Sequence, residues 1–244
     1  MRIEFLPLLQ IQRDLYKLPR GIERFREYLR TMQNEDGSGL NLPLVAMNPM
    51  GKEHVAAYLD QLMALDAEAI VQDALHEMPA LPDSPPLRLG LVLSDDALGG
   101  WTNRTANEFI HIVSEPIMNI KYGFVTPILW TGDIPSIERV RGEVLATIHR
   151  YAYVVSNGEP KTLLDILRQE GHALKGAHVT QWLDTDDLAY THEVLAGHLH
   201  AVDQPTLIAA LFGDEAARDL GYQPLGLSAR AGLGLALNLV ANAT

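Results

Sequence analysis

Hydrophobic positions recur along this chain in two distinct periods. Residues 87–93 (LRLGLVL) and 124–130 (FVTPILW) are apolar almost without interruption and are flanked by Pro, Gly or Asp, as in short strands buried on both faces. A third apolar run, 42–48 (LPLVAMN), predicts a further strand, weakened by Pro43. Elsewhere the spacing is helical. Residues 8–32 form a helix bent at Leu18-Pro19-Arg20-Gly21, with Ile22, Phe25, Tyr28, Leu29 and Met32 on one face of its second part. After 52 the stripe is Val55, Tyr58, Leu59, Leu62 and Met63, and Asp66 is placed to cap a second helix carrying Ile70, Val71, Ala74, Leu75 and Met78. A helix from about Arg104 presents Ala106, Phe109, Ile110 and Val113. Another opens near Pro135, carries Val140, Val144, Ile148 and Tyr151, and stops at Asn157-Gly158.

Strand and helix thus alternate between about 42 and 156, which predicts an α/β fold: a small, mainly parallel sheet of about three to four strands flanked by helices. Beyond 160 the pattern is helical, at 162–170, 186–202, 206–212 and 214–220, with 177–183 as one more strand. The tail SARAGLGLALNLVANAT is small and apolar, and reads as a docked last segment or a homo-oligomer contact. The expected organisation is a single domain over 1–244, with a helical C-terminal subdomain over 160–244 as the other division.

Composition narrows the function classes. With 244 residues the chain can bury a large core without disulfides or a structural metal. Its 47% hydrophobic and 20% charged residues are those of a globular protein. The formal charge of −12 sets up a field that repels phosphate backbones and anionic membrane surfaces, so neither nucleic acid nor membrane is an expected partner. The absence of cysteine removes thiolate nucleophiles, thiolate metal sites and disulfide frameworks together. The N-terminus has an acid at Glu4 and no small-residue cleavage site, so it does not read as a signal peptide, and no window approaches the roughly 18 apolar residues that span a bilayer. A cytoplasmic location is the expectation.

In parallel sheets, ligands bind beyond the carboxyl ends of the strands. The loops leaving the three expected strands carry Asn48 and Lys52, then Asp95, Asp96, Trp101, Asn103 and Arg104, then Asp133. In this reading Lys52 and Arg104 grip a small anion, Arg104 by two parallel hydrogen bonds. Asp95 or Asp96 serves as general base or holds a divalent cation through oxygen. Trp101 walls the pocket, and Asn48, Asn103 and Asp133 complete the polar lining. The same residue types are ordinary turn and cap formers, which is the competing explanation for each of them.

No phosphate-loop, nucleophile-elbow, dinucleotide or zinc-protease motif is present. Two histidine-bearing segments offer metal ligands. Glu108 and His111 have the Glu-x-x-His spacing, with Glu115 one turn on, but that face lies opposite the stripe of Phe109, Ile110 and Val113 and is expected to be solvated. His192 falls on the stripe of Leu188, Leu195 and Leu199, while His198 and His200 point to either side, so one helix cannot bring all three to one ion. The leading expectation is an enzyme of hydrolase or lyase type acting on a phosphate- or carboxylate-bearing small molecule with activated water. A non-catalytic ligand-binding or homo-oligomeric assembly protein is the alternative, and a metal-dependent oxidoreductase using the histidines is the third.

Overall fold

A computed structural model of the chain describes residues 3–34, 36–37, 39–78, 86–98, 102–114, 116 and 121–241. They fall into two compact units, Met1–Asn103 with Met118–Thr147, and Arg104–Ile117 with Ile148–Thr244. The fold is mixed α/β, with a small parallel sheet and a helical C-terminal region.

The first unit holds the sheet. Its strands are β1 (Ile3–Phe5), β2 (Leu87–Leu89), β3 (Val92–Ser94), β4 (Phe124–Val125) and β5 (Ile128–Trp130). Pairing is parallel throughout, in the orders β1-β2-β4 and β3-β5. Only Gly90-Leu91 separates β2 from β3, and only Thr126-Pro127 separates β4 from β5. Bonds from Gly90 N to Val125 O (3.3 Å) and from Val92 N to Pro127 O (3.1 Å) carry the ladder across the break. Leu87, Leu89, Val92, Leu93, Phe124 and Val125 are all buried, as expected of strands covered on both faces. The helices of this unit are α1 (Leu9–Leu15), α2 (Ile22–Met32), α3 (Glu53–Ala64) and α4 (Ala67–His76).

The strand at the first edge is therefore Ile3–Phe5, and 42–48 is not a strand. The latter segment is a series of turns in which Leu44 and Met47 are buried while Val45 is exposed. Pro43 cannot donate to a ladder, and side chains anchor the backbone instead: Tyr28 Oη donates to Leu44 O (3.1 Å), and Tyr16 Oη donates to Asn48 O. Asp66 does precede α4, but in the left-handed conformation (φ 55°) and with no side-chain cap bond.

A buried glutamine completes the sheet. β1 stops short of β3, which leaves the backbone of Leu91 and Leu93 without a neighbouring strand on that side. Gln12 Nε2 donates to Leu91 O (2.8 Å), and Gln12 Oε1 accepts from Leu93 N (2.9 Å). One carboxamide thus presents the donor and acceptor that a strand would have presented, and Gln12 is fully buried in doing so. Gly90 lets α1 come this close: a Cβ there would stand 2.4 Å from Leu8 Cδ1.

The second unit contains α5 (Arg104–Val113), the later part of α6 (Ile137–Asn157), α7 (Leu163–Gly176), α8 (Thr185–Ala196), α9 (Gln204–Phe212), α10 (Asp214–Asp219) and α11 (Ala231–Ala241). Side chains fix three of the helix starts: Thr162 and Asp165 form a capping box, and Asp184 and Asp203 accept from Asp187 N and Thr206 N. The apolar tail is α11, docked inside this unit with Ala231 to Leu237 buried. Glycines permit the approach. A Cβ on Gly171 of α7 would meet Ala236 O at 2.3 Å, and one on Gly232 of α11 would meet Ala210 O at 2.2 Å. The run 177–183 is not a strand; Gln181 folds it over by accepting from Trp182 N and Leu183 N and donating to Gly234 O. Among the described residues, no helix is long and apolar enough to cross a membrane.

Candidate active site

At the carboxyl end of β3 the chain places Asp95, and at the end of β5 it places Thr131, whose N–H donates to Ser94 O (3.1 Å). Parallel pairing brings the two side chains together. The Thr131 hydroxyl lies 3.0 Å from Asp95 Oδ1 and 3.2 Å from Asp96 Oδ1, and can give its single proton to one of them at a time. Its lone pairs accept from Asp96 N (3.2 Å) and Ala97 N (3.3 Å). Asp96 is held further by Gly132 N, which donates to Oδ1 at 2.7 Å. A Cβ on Gly132 would stand 3.0 Å from both oxygens of that carboxylate, so a larger residue there would have to displace it by a few tenths of an ångström.

Asp95 is 2% exposed and bonded on both oxygens. His54 Nε2 lies 2.7 Å from Oδ1, and Asn48 Nδ2 donates to Oδ2 at 3.0 Å. His54 stands in the first turn of α3, two residues after Lys52, the residue that precedes the helix. The loop is itself rigid: Asn48 Oδ1 accepts from Met50 N (3.0 Å), and Gly51 N donates to Asn48 O (3.0 Å). The carboxylate of Asp95 is the acceptor for a proton on Nε2, which leaves Nδ1 as the other ring nitrogen. That nitrogen is buried and, among the described residues, has no hydrogen-bond partner.

A cavity of about 50 Å³ opens here, lined by Asn48, Lys52, His54, Asp95, Arg20 and Leu98 among others. It has room for a few water molecules beside the imidazole. Lys52 is exposed, and its ammonium reaches Leu98 O at 3.4 Å.

Of the residues expected from the sequence, Asn48, Lys52, Asp95 and Asp96 are gathered in this place, although the loop bearing Asn48 and Lys52 follows no strand. Asp133 belongs to the same unit but is ion-paired with Arg139 at 2.6 Å. Trp101 lies outside the described residues. Asn103 is exposed, and Arg104, in the second unit, has its Nε 2.8 Å from Glu108 Oε1. His54 and Thr131 are the residues that sequence reasoning missed. A histidine in the first helical turn after a polar loop was the available signal for the first of them.

The metal candidates have other surroundings. Glu108 is nearly buried between Arg104 and Arg230, whose Nη1 is 2.6 Å away. Burial alone would raise its pKa, but the two guanidiniums hold it below the usual carboxylate range. His111 is buried with Phe109 and Ile112, while Ile110 is exposed, so the buried stripe of α5 is rotated from the expected one. Glu115 lies outside the described residues. On α8 the buried positions are Thr191 and Leu195, and His192 and His200 are exposed, the reverse of the core placement expected for His192. Among the described residues, no three His, Asp or Glu side chains are grouped to share a metal ion.

Comparison with known families, curated proteins and solved structures finds no match to this chain.

Proposed function

We propose that the sheet-bearing unit is the catalytic part of a hydrolase acting on a small anionic molecule. One observation carries this reading: a buried carboxylate at the carboxyl end of β3 holds a histidine whose other ring nitrogen has no partner among the described residues, beside a polar cavity. Asp95 is buried and already accepts hydrogen bonds on both oxygens, which leaves it poorly placed to meet a substrate. Asp95 is therefore the positioning residue, and the base function expected of it passes to His54.

In the proposed step His54 Nδ1 accepts a proton from water as the oxygen attacks the electrophilic carbonyl carbon or phosphorus. The imidazolium that forms is stabilised by Asp95 at Nε2, and it returns the proton to the leaving oxygen of an ester or the leaving nitrogen of an amide. Lys52 supplies positive charge where the substrate's negative charge is bound or develops. Asp96, beside Asp95 and fixed by Gly132 N and Thr131, keeps the two loops in register.

The test is a screen of the purified protein against phosphomonoesters, carboxylic esters and small amides, with His54→Gln as the paired control. Turnover of one substrate by the wild type, lost by at least about a hundredfold in His54→Gln with unchanged circular dichroism, is the expected result. Equal rates in the two proteins overturn the proposal.

A further inference from the structure

A second, larger cavity of about 330 Å³ adjoins the loop that carries Asn48 and Lys52. Its lining includes the cations Arg13, Arg24 and Lys52, the carboxylates Glu53 and Asp60, and Tyr16, with Ala56 and Ala57 between them. That volume is within the range of small-molecule sites. Lys52 lines both cavities. The loop is their common wall, tied to the chamber side by bonds from Tyr16 Oη to Asn48 O and from Arg24 Nη1 to Gly51 O (3.0 Å).

The cations of this chamber are not equivalent. Arg13 is neutralised by a two-pronged pair with Asp60, at 2.6 and 3.1 Å. Arg24 is only 7% exposed, yet among the described residues no carboxylate stands within ion-pair distance of it. Among the described residues its guanidinium is held by neutral acceptors: Nε and Nη2 donate to Leu18 O at 2.8 and 2.6 Å, and Nη1 donates to Gly51 O. The Tyr16 ring lies under it, 5.1 Å from centroid to Cζ. Those three bonds leave two of the five guanidinium N–H groups for another partner. A buried cation without a counter-anion is unfavourable unless something compensates it. Burial lowers the guanidinium pKa, and Arg20 nearby adds to this against the opposing pull of Tyr16 and Glu53, but an arginine stays charged.

We infer that this chamber is an oxyanion-binding subsite, in which Arg24 is the fixed anchor for a carboxylate or phosphate of the ligand and Lys52 links it to the His54 cavity. The inference rests on the proposed hydrolysis for its role as a substrate subsite. The substrate is then a molecule with two ends: an anionic group held by Arg24, and an ester- or amide-type group presented to His54 across the 48–52 loop. Fixing the guanidinium through two backbone carbonyls and a ring makes the anchor rigid before the ligand arrives, so little ordering is needed on binding.

The test is calorimetric titration of the full chain with inorganic phosphate and, separately, with malonate. One of the two is expected to bind at a single site. Arg24→Met should weaken that binding by about tenfold or more. Because Arg24 also ties the 48–52 loop, Ala56→Met serves as the second variant. It fills the chamber, leaves every bond of Arg24 in place, and should abolish binding with unchanged circular dichroism. Phosphate binding alone points to a phosphate-bearing substrate, and malonate binding alone to a carboxylate. Binding to neither anion, or binding that survives Ala56→Met, overturns the subsite. His54→Gln separates the two proposals. Anion binding as described, with wild type and His54→Gln equally inert, leaves the subsite standing and removes the hydrolysis. His54-dependent turnover with no anion binding does the reverse.

Discussion

His54 Nε2 stands 2.7 Å from Asp95 Oδ1, and the carboxylate that holds it is itself held by Asn48 and Thr131. This geometry fixes the ring's tautomer as well as its position. In Asp95→Asn the shape of the side chain survives. An amide whose NH₂ faces the ring, however, donates to Nε2 and moves the ring proton to Nδ1. Turnover is expected to fall by roughly a hundredfold to ten-thousandfold, with the thermal midpoint little changed. Steady-state kinetics against the substrate found for the wild type provides the check, and retained kcat would remove Asp95 from the mechanism.

Lys52 is exposed, and its one hydrogen bond among the described residues, to Leu98 O, is long at 3.4 Å, so little stability depends on it. Lys52→Met is expected to raise KM about tenfold, with stability unchanged within about half a kcal/mol. A variant with wild-type KM would show that the ammonium does not meet the substrate.

Gln12 replaces a strand neighbour with one side chain, so its loss strands two buried backbone groups at once. Gln12→Leu keeps the volume and removes both partners of Leu91 O and Leu93 N. The expected cost is about 2–6 kcal/mol, at roughly 1–3 kcal/mol for each orphaned group. Urea denaturation measures it, and a loss below about 1 kcal/mol would mean that water replaces the amide.

Glu108 gives the second unit a pH dependence of definite sign. Arg230 and Arg104 hold its folded pKa below the model-compound value of 4.5. The unfolded chain therefore binds the proton more readily, and stability rises with pH through that interval. The contribution is complete above about 4.5 and disappears as pH falls through the lower, folded value. Arg230 is half exposed, so solvent screening limits the gain to about 1 kcal/mol. Glu108→Gln should be less stable than wild type at neutral pH, and the difference should close in acid. A gap that is constant with pH would contradict the ion-pair account.

Ending the chain after Ser228 removes α11, and with it the buried side chains of Leu233, Leu235 and Leu237. Burying three leucines is worth roughly 5–9 kcal/mol, comparable with the whole stability of a domain. The expected outcome is loss of protection from hydrogen exchange across α7 and α8. Retained protection there would mean that the tail is dispensable.

The sequence announces two of the strand segments because continuous apolar runs at 87–93 and 124–130 suit strands buried in a parallel sheet. It hides β1, which has three residues and lies directly before a helix. It misdirects at 42–48, where burial of Leu44 and Met47 imitates a strand while tyrosine hydroxyls, rather than a ladder, satisfy the backbone. The carboxylates after β3 stand out because their loop follows a strand. His54 does not, because helical periodicity assigns it only a place next to Val55, and its bond to Asp95 spans 41 positions. On α5 and α8 the apolar stripes are broad enough that a rotation of one residue exchanges His111 with Ile110, and Thr191 with His192. Ion pairs and hydrogen bonds that no periodicity encodes decide between such faces.

The central claim is that Asp95 holds His54 with its proton on Nε2 and its lone pair on Nδ1. Nitrogen-15 NMR of histidine-labelled protein in mildly alkaline buffer, assigned by His54→Gln, reads this directly. The account predicts a protonated Nε2 and an unprotonated Nδ1 for His54, with the Nε2 proton exchanging slowly and this state lost in Asp95→Asn. A proton found on Nδ1, or rapid averaging between the two nitrogens as in a free imidazole, would contradict it.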